Sequence, residues 1–191
     1  YGDHSGSSGI YREGKGTTWE GGVRVPAIIK FPNGLKPRII NEPVMGIDWM
    51  PTFASITDSK LSKNKIDGKN IWPLLSGETN KSPHKKLYFY YRINELHSIR
   101  MNEWKIHFKR TYRSLNGKNG GIDGMPVKYD VNLLEKNELY NLKNDPEERN
   151  NVYDDFPKIV LMMEKLGIKA REELGDNLTD VIGKENREAR K

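Results

Sequence analysis

Hydrophobic and polar residues alternate most clearly in the second half of the chain. Residues 104–110 read WKIHFKR, with an apolar residue at every second position from Trp104 to Phe108. This period of two predicts a strand with Lys105 and His107 on the opposite face, where we expect His107 to reach the surface. Three further segments are rich in aromatic and β-branched residues, namely 87–93, 96–100 and 138–142. Together the four segments predict a small antiparallel sheet.

Apolar residues recur with a helical period in two other segments. In residues 154–174 they form a stripe that predicts a long helix, capped by Asp154 or Asp155. A shorter helix is predicted over residues 48–56, with Asp48 as its N-cap. Residues 23–31 form an apolar run bounded by glycine and by a Pro-Asn-Gly turn, which predicts a buried strand.

The polar loop around residues 76–86 separates two differently patterned parts of the chain. We predict one structural part over residues 1–82 and a small α+β part over residues 83–191, with a polar tail. The chain begins at Tyr1, inside a glycine-rich loop. Because folds rarely open on such a loop, we expect the chain to be a piece of a longer protein, with any targeting signal upstream.

Composition excludes several classes of protein. The 191 residues contain no Cys, which rules out disulfides, thiolate metal sites and a Cys nucleophile within the chain. No stretch approaches the roughly 18 apolar residues of a membrane-spanning helix. The formal net charge of +6 suits a solvated surface or an anionic partner such as a sulfated polymer. No motif typical of nucleic-acid binding is present.

Candidate chemistry concentrates in residues 12–26, which read REGKGTTWEGGVRVP. Lys15 stands between two glycines, and glycines let backbone approach a ligand closely. A lysine in such a loop could contact an oxyanion, or it could form only a salt bridge within a tight turn. The loop lacks the order of residues found in a phosphate-binding P-loop. We expect Glu20 and Arg24, beside the Gly-Gly bend, to form structural ion pairs.

The order of motifs along the chain resembles the C-terminal part of the formylglycine-dependent sulfatases of the arylsulfatase A type, in the alkaline phosphatase superfamily. The resemblance spans nearly the whole chain, because several strings occur in the family's order. They are GKGTTWEGG (14–22), DWMPT (48–52), IDGKN with PLL (66–70 and 73–75), NELHSIR with WKIH (94–100 and 104–107), and ELYNL with NDPEE (138–142 and 144–148).

The resemblance implies a fold, an activity and three candidate site residues. It implies that residues 1–82 end an alkaline-phosphatase-like α/β domain, and that the full-length enzyme hydrolyses sulfate monoesters. Lys15 corresponds to the lysine that contacts the substrate sulfate in the family. His4 lies in a loop that could line the pocket, and His97 lies in a hairpin near the cleft.

The same resemblance implies chemistry that lies outside this chain. The family uses a formylglycine nucleophile and Ca²⁺, but no motif for either occurs in this sequence. We therefore expect the nucleophile and the calcium ligands to precede Tyr1, no specific calcium site in this chain, and no sulfatase activity from it alone. The expected partners are the rest of the protein and a sulfated small molecule or glycan, and the family suggests an exported enzyme.

Two other functions remain open at this point. A phosphoesterase of the same superfamily would use a similar scaffold, and the upstream nucleophile would distinguish it from a sulfatase. A non-catalytic basic module that binds acidic glycans would instead fold alone and would bind such polymers with a strong dependence on salt.

Overall fold

The computed structural model describes residues 6–32 and 34–186. The contacts divide the chain into two compact units. The first unit joins Tyr1–Val25 to Lys86–Lys191, and the second is Pro26–Lys85. The N-terminal loop that carries Lys15 is thus grouped with the C-terminal half of the chain. The boundary that the sequence suggests near residue 82 concerns domains of a longer protein and stays a prediction.

The first unit is built on the antiparallel sheet that the alternating pattern predicts. Its four strands are β1 (Leu87–Tyr91), β2 (Glu95–Met101), β3 (Trp104–His107) and β6 (Glu138–Asn141). They lie in the order β1-β2-β3-β6, and each neighbouring pair is antiparallel. The prediction of four strands is confirmed because each pattern lies within a few residues of the observed strand.

A long helix covers one face of this sheet, as the apolar stripe predicts. Helix α4 spans Pro157–Leu174 and packs against β2. The predicted cap is wrong, because Phe156 occupies the N-cap position and no side chain caps the helix. Pro157 lacks an N–H, so the first turn has one donor fewer to satisfy. The buried core between helix and sheet contains Leu96, Ile99, Ile106, Phe108, Leu139, Val160, Met163 and Ala170.

Two further strands in this unit were not predicted. Strands β4 (Arg110–Ser114) and β5 (Asp130–Leu134) pair with each other in a separate two-stranded sheet. A glycine-rich loop between residues 114 and 130 separates them. Neither strand has the clean alternation of β3, and their partnership depends on a long connection, so a local pattern did not reveal them.

The described part of the second unit contains two short α-helices, of which the first was predicted, and a single 3-10 turn at Gly46–Asp48. Helix α2 spans Trp49–Ile56 and helix α3 spans Trp72–Ser76. The strand predicted over residues 23–31 is wrong: Val23 ends helix α1 (Glu20–Val23) of the first unit, and no strand follows it up to residue 32. A strand requires a partner strand for its backbone hydrogen bonds, and no described residue supplies one here.

Asp48 occupies the N-cap position of α2, as predicted, and it also organises the second unit. The residue is fully buried, and no side-chain cap bond forms at the start of α2. Its carboxylate instead accepts hydrogen bonds from the backbone N–H groups of Met45 (2.7 Å) and Lys69 (2.8 Å). Nε2 of His84 lies 2.8 Å from both carboxylate oxygens. Asp48 therefore connects three segments of this unit.

Candidate functional site

Lys15 is presented by a short arc of three residues, Gly14, Lys15 and Gly16. The Lys15 side chain is exposed. Gly16 has a φ of +103°, in the left-handed region that side chains disfavour, so the arc requires a glycine at this position. Thr17 donates a hydrogen bond from Oγ1 to the carbonyl oxygen of Gly14 at 3.0 Å. This bond closes the arc and fixes the direction in which Lys15 leaves the backbone.

The segments on either side of the arc are attached to the strands of the first unit. Before it, Glu13 accepts a hydrogen bond at 2.6 Å from Oγ of Ser114, at the end of β4. After it, the ring of Trp19 is fully buried and stacks on the imidazole of His107 in β3, with ring centroids 3.9 Å apart. The arc is therefore held from both sides by the body of the unit.

A buried ion cluster anchors the loop just beyond Trp19. Nζ of Lys105 lies 2.8 Å from Oε1 of Glu20 and 3.2 Å from Oε1 of Glu148, and all three side chains are almost completely buried. The backbone N–H of Glu20 also donates to Oε2 of Glu148 at 2.5 Å. Glu20 forms the expected ion pair with Arg24, with Nε and Oε2 3.6 Å apart. These contacts fix the start of α1 to the sheet.

His107 is not at the surface, so that expectation is wrong. Its ring is fully buried because the N-terminal loop covers the polar face of β3. Nδ1 lies 2.9 Å from Nη2 of Arg110, and Nε2 lies 2.7 Å from Oε1 of Glu148. Since a guanidinium can only donate, Nδ1 accepts and the proton resides on Nε2. Burial, aided by Arg110 and Lys105, lowers the pKa of His107 well below its usual value and keeps the ring neutral.

His97 lies in β2 and is buried rather than open to solvent. Only 2% of the residue is exposed, and Nε2 lies 2.8 Å from Oε2 of Glu95. Among the residues that the structure describes, Nδ1 has no hydrogen-bond partner. Burial lowers the pKa of His97 to about 4, although the hydrogen bond to Glu95 opposes this effect. The ring is therefore neutral at pH 7.

The lowered pKa of His97 should make the folded protein sensitive to acid. The unfolded chain binds a proton near the ordinary pKa of 6.5, whereas the folded protein binds it only near 4. Stability is therefore lost as the pH falls between these two values. From pH 7 to 4.5, His97 should contribute a loss of about 2 kcal/mol in the free energy of unfolding. Urea titrations at both pH values measure this loss.

The variant His97→Gln should lose less stability over the same range, by about that amount. An exposed-site variant, Lys109→Gln, should keep the acid sensitivity of the wild type. Identical losses in the wild type and in His97→Gln would contradict the assignment of this pH dependence to His97.

The structure brings His97 and the arc that carries Lys15 close to a shared neighbour, Tyr91. Its ring meets that of His97 edge to face, with centroids 5.6 Å apart. A Cβ atom added to Gly16, the residue after Lys15, would lie 3.5 Å from the Tyr91 hydroxyl oxygen. His4 falls outside the described residues. The arc that carries Lys15 and the His97 region of β2 are therefore neighbours.

Sequence reasoning missed the contribution of three residues to this site, namely Tyr91, Lys105 and Glu148. Lys105 and Glu148 fall within strings that carry the family resemblance, WKIH and NDPEE. The loop string GKGTTWEGG contains Glu20, which contacts both of them. The signal was therefore present in the motifs, but the motifs did not show that these three strings meet in space.

The described residues do not offer a site that fits calcium. No group of three or more His, Asp or Glu side chains in residues 6–32 and 34–186 could hold a metal ion. Calcium prefers six to eight oxygen ligands, and the described side chains do not form such a set. The expected calcium ligands upstream remain a prediction. Within the same residues, no helix has the length and the apolar character needed to cross a membrane.

Two family profiles match this chain, and each covers more than half of it. The C-terminal region of aryl-sulfatase matches residues 82–187, and the C-terminal part of N-sulphoglucosamine sulphohydrolase matches residues 8–115. Arylsulfatase A of Bos taurus is 32% identical over 160 residues, which are 82% of this chain and 31% of that protein. Steryl-sulfatase of Mus musculus is 37% identical over 121 residues, which are 62% of this chain and 19% of that protein.

Solved structures share the fold. The PsFucS1 sulfatase of Pseudoalteromonas sp. aligns with a TM-score of 0.66 and 24% identity, over 87% of this chain and 34% of that one. A protein studied for glycosaminoglycan metabolism in Bacteroides thetaiotaomicron aligns with a TM-score of 0.67 and 24% identity, over 86% of this chain and 32% of that one. This chain spans about a third or less of the length of these relatives. It belongs to the sulfatase family and corresponds to the C-terminal part of an arylsulfatase-type enzyme.

Proposed function

We propose that the full-length protein hydrolyses sulfate monoesters and that this chain supplies Lys15 as a contact to the sulfate group. The main support for the proposal is the arc of residues 14–16, which presents an exposed lysine. Hydrogen bonds of Thr17 and Glu13 hold the backbone on either side of that lysine. A lysine whose backbone is held in this way can bring its ammonium group to sulfate oxygens with little rearrangement of the loop, which would stabilise their negative charge. We also propose that the buried His97 and the undescribed His4 line the substrate pocket.

The nucleophile and the metal are proposed to come from the rest of the full-length protein. In this proposal a formylglycine and Ca²⁺ upstream of Tyr1 complete the site, and the chain alone is inactive. When bound, calcium would supply positive charge to the sulfate oxygens. The residues of this chain would orient the sulfate through Lys15 and shield the site. The substrate class would be an aryl, steryl or sugar sulfate, and the enzyme would be exported.

Apolar side chains in the second unit support the idea that it belongs to a larger domain. Ile28 is 98% exposed, Ile39 is 88% exposed and Phe53 is 58% exposed. Removing apolar surface from water is favourable, so packing by other protein would stabilise these side chains. We propose that residues of the full-length enzyme outside this chain cover them, as expected for the end of an α/β domain.

Turnover of two model esters tests the proposed reaction. The full-length protein, produced with its formylglycine modification, should hydrolyse 4-nitrophenyl sulfate much faster than 4-nitrophenyl phosphate. The 191-residue chain alone should release no 4-nitrophenol from either ester. A preference for the phosphate ester would favour the phosphoesterase. The glycan-binding module would be favoured if the protein shows no turnover and binds heparin-like polymers more weakly as the salt concentration rises.

A further inference from the structure

Glu148 contacts both ends of the loop that carries Lys15. On the N-terminal side, Arg12 donates from Nη1 to the carbonyl oxygen of Glu148 at 2.9 Å. On the C-terminal side, the backbone N–H of Glu20 donates to the Glu148 carboxylate at 2.5 Å. Glu20 and Glu148 are 128 positions apart in the sequence. One distant residue therefore anchors the loop on both sides of Lys15.

The two ends of this loop also touch each other. The carbonyl oxygen of Arg12 accepts a hydrogen bond from the N–H of Gly21 at 2.9 Å. A Cβ atom added to Gly21 would lie only 2.3 Å from the carbonyl oxygen of Glu13, so a glycine is needed for this close approach. The guanidinium of Arg12 lies over the ring of Trp19, 3.7 Å from its centroid. The loop thus has a closed base, and Glu148 binds that base.

The backbone of Glu148 adopts an unusual conformation that makes this double contact possible. Its φ is +54°, in the left-handed region that non-glycine residues rarely occupy. The preceding turn holds it there, because the carboxylate of Asp145 accepts hydrogen bonds from the N–H groups of Arg149 and Asn150. Backbone outliers that are held by surrounding contacts concentrate at functional sites. The outlier here directs both the carbonyl and the carboxylate of one residue at the Lys15 loop.

The Glu148 carboxylate is ionised, since all of its partners donate. Oε2 accepts from the N–H of Glu20, and Oε1 faces Nζ of Lys105 and the protonated Nε2 of His107. The pKa of Glu148 is raised above its ordinary value, mainly by burial, and the charge of Lys105 and the N–H of Glu20 oppose this effect. An amide in place of the carboxylate would bring its own N–H group toward one of these donors, and one contact of the loop base would be lost.

From these contacts we infer that Glu148 is a positioning residue for Lys15. Glu148 fixes the loop base and thereby sets the position of the Lys15 ammonium group. The inference rests on the proposed role of Lys15 in sulfate binding. A displacement of a catalytic contact by about 1 Å can cost on the order of 100-fold in rate. Glu148 therefore acts on the reaction through the loop, without touching the substrate.

A double-mutant cycle in the full-length enzyme tests this inference. With Lys15 present, Glu148→Gln should lower kcat/KM for 4-nitrophenyl sulfate by about 10- to 100-fold per folded molecule. In the Lys15→Ala background the same change should cost less than about 3-fold, because the group that it positions is already absent. When kcat and KM are determined separately, the effect of Glu148→Gln should likewise be smaller in the Lys15→Ala background. If the Glu148→Gln protein does not fold, Arg12→Met takes its place in the cycle. This variant removes the contact between the Arg12 guanidinium and the Glu148 carbonyl oxygen.

Asp176→Asn is the matched control, because Asp176 is also a fully buried carboxylate in the first unit. Its partners lie outside the loop and include Arg171, with Nε and Oδ2 2.8 Å apart. This change should alter kcat/KM per folded molecule by less than about 3-fold in both backgrounds. Equal losses from Glu148→Gln in both backgrounds, with Lys15→Ala itself impaired, would overturn only the inference. Unimpaired activity of Lys15→Ala would instead refute the proposed role of Lys15.

Discussion

Replacing Lys15 with alanine in the full-length protein should lower kcat/KM for a sulfate ester by about two to three orders of magnitude. The reason is that a charge-assisted contact to the transferring group stabilises the transition state by a few kcal/mol. Removing the contact therefore lowers the rate by about that factor. The side chain is exposed on its arc, so the fold should be unaffected. Steady-state kinetics and a thermal melt on the same preparation measure both quantities.

Lys109→Ala is the matched control for this prediction, because Lys109 is another exposed lysine of the same unit. It should change neither kcat/KM nor the melting temperature appreciably. If Lys15→Ala lowers the melting temperature but leaves turnover per folded molecule unchanged, Lys15 serves only to hold the loop. The assignment of the sulfate contact would then be wrong.

Replacing Lys105 with methionine should destabilise the full-length protein by about 3–5 kcal/mol. Methionine fills a similar volume but leaves the carboxylates of Glu20 and Glu148 buried without the charge that lies 2.8 Å and 3.2 Å from them. An unpaired buried charge is far more costly than the loss of the ion pair by itself. Urea unfolding, followed by tryptophan fluorescence, measures the change.

Lys109→Met makes the same chemical change four residues further along the chain, where the side chain is exposed. It should alter the free energy of unfolding by less than about 0.5 kcal/mol. Adding Glu20→Gln to Lys105→Met should restore part of the stability, because one of the two stranded carboxylates becomes neutral. Equal stabilities of Lys105→Met and Lys109→Met would contradict the assigned role of the cluster.

Local patterns predicted the secondary structure wherever the pattern and the partner lay close together in the chain. The alternation in residues 104–110 and the aromatic segments before it correspond to β3, β2 and β1, which are joined by short turns. The apolar stripe of α4 was equally informative, since a helix makes its backbone hydrogen bonds within itself. In both cases the information needed for the element lies within the element or next to it.

The same reasoning failed for residues 23–31, whose composition is that of a buried strand. Val25 is 83% exposed and Ile28 is 98% exposed, and the segment has no strand partner among the described residues. A strand is defined by a neighbour that can lie anywhere in the sequence, so its composition alone is not sufficient. Strands β4 and β5 illustrate the converse, because their pairing was invisible until the structure brought them together.

The sequence by itself determined the candidate chemistry of this protein: a lysine between glycines, within an ordered set of motifs that resembles the sulfatases. It also determined that Lys105 and His107 lie on one face of a strand. Only the tertiary structure decided that this face meets the Lys15 loop instead of water, and that Glu148 lies there as well. The physical reason is that the burial of a polar side chain depends on which distant segment covers it, and a period along one strand carries no information about that segment.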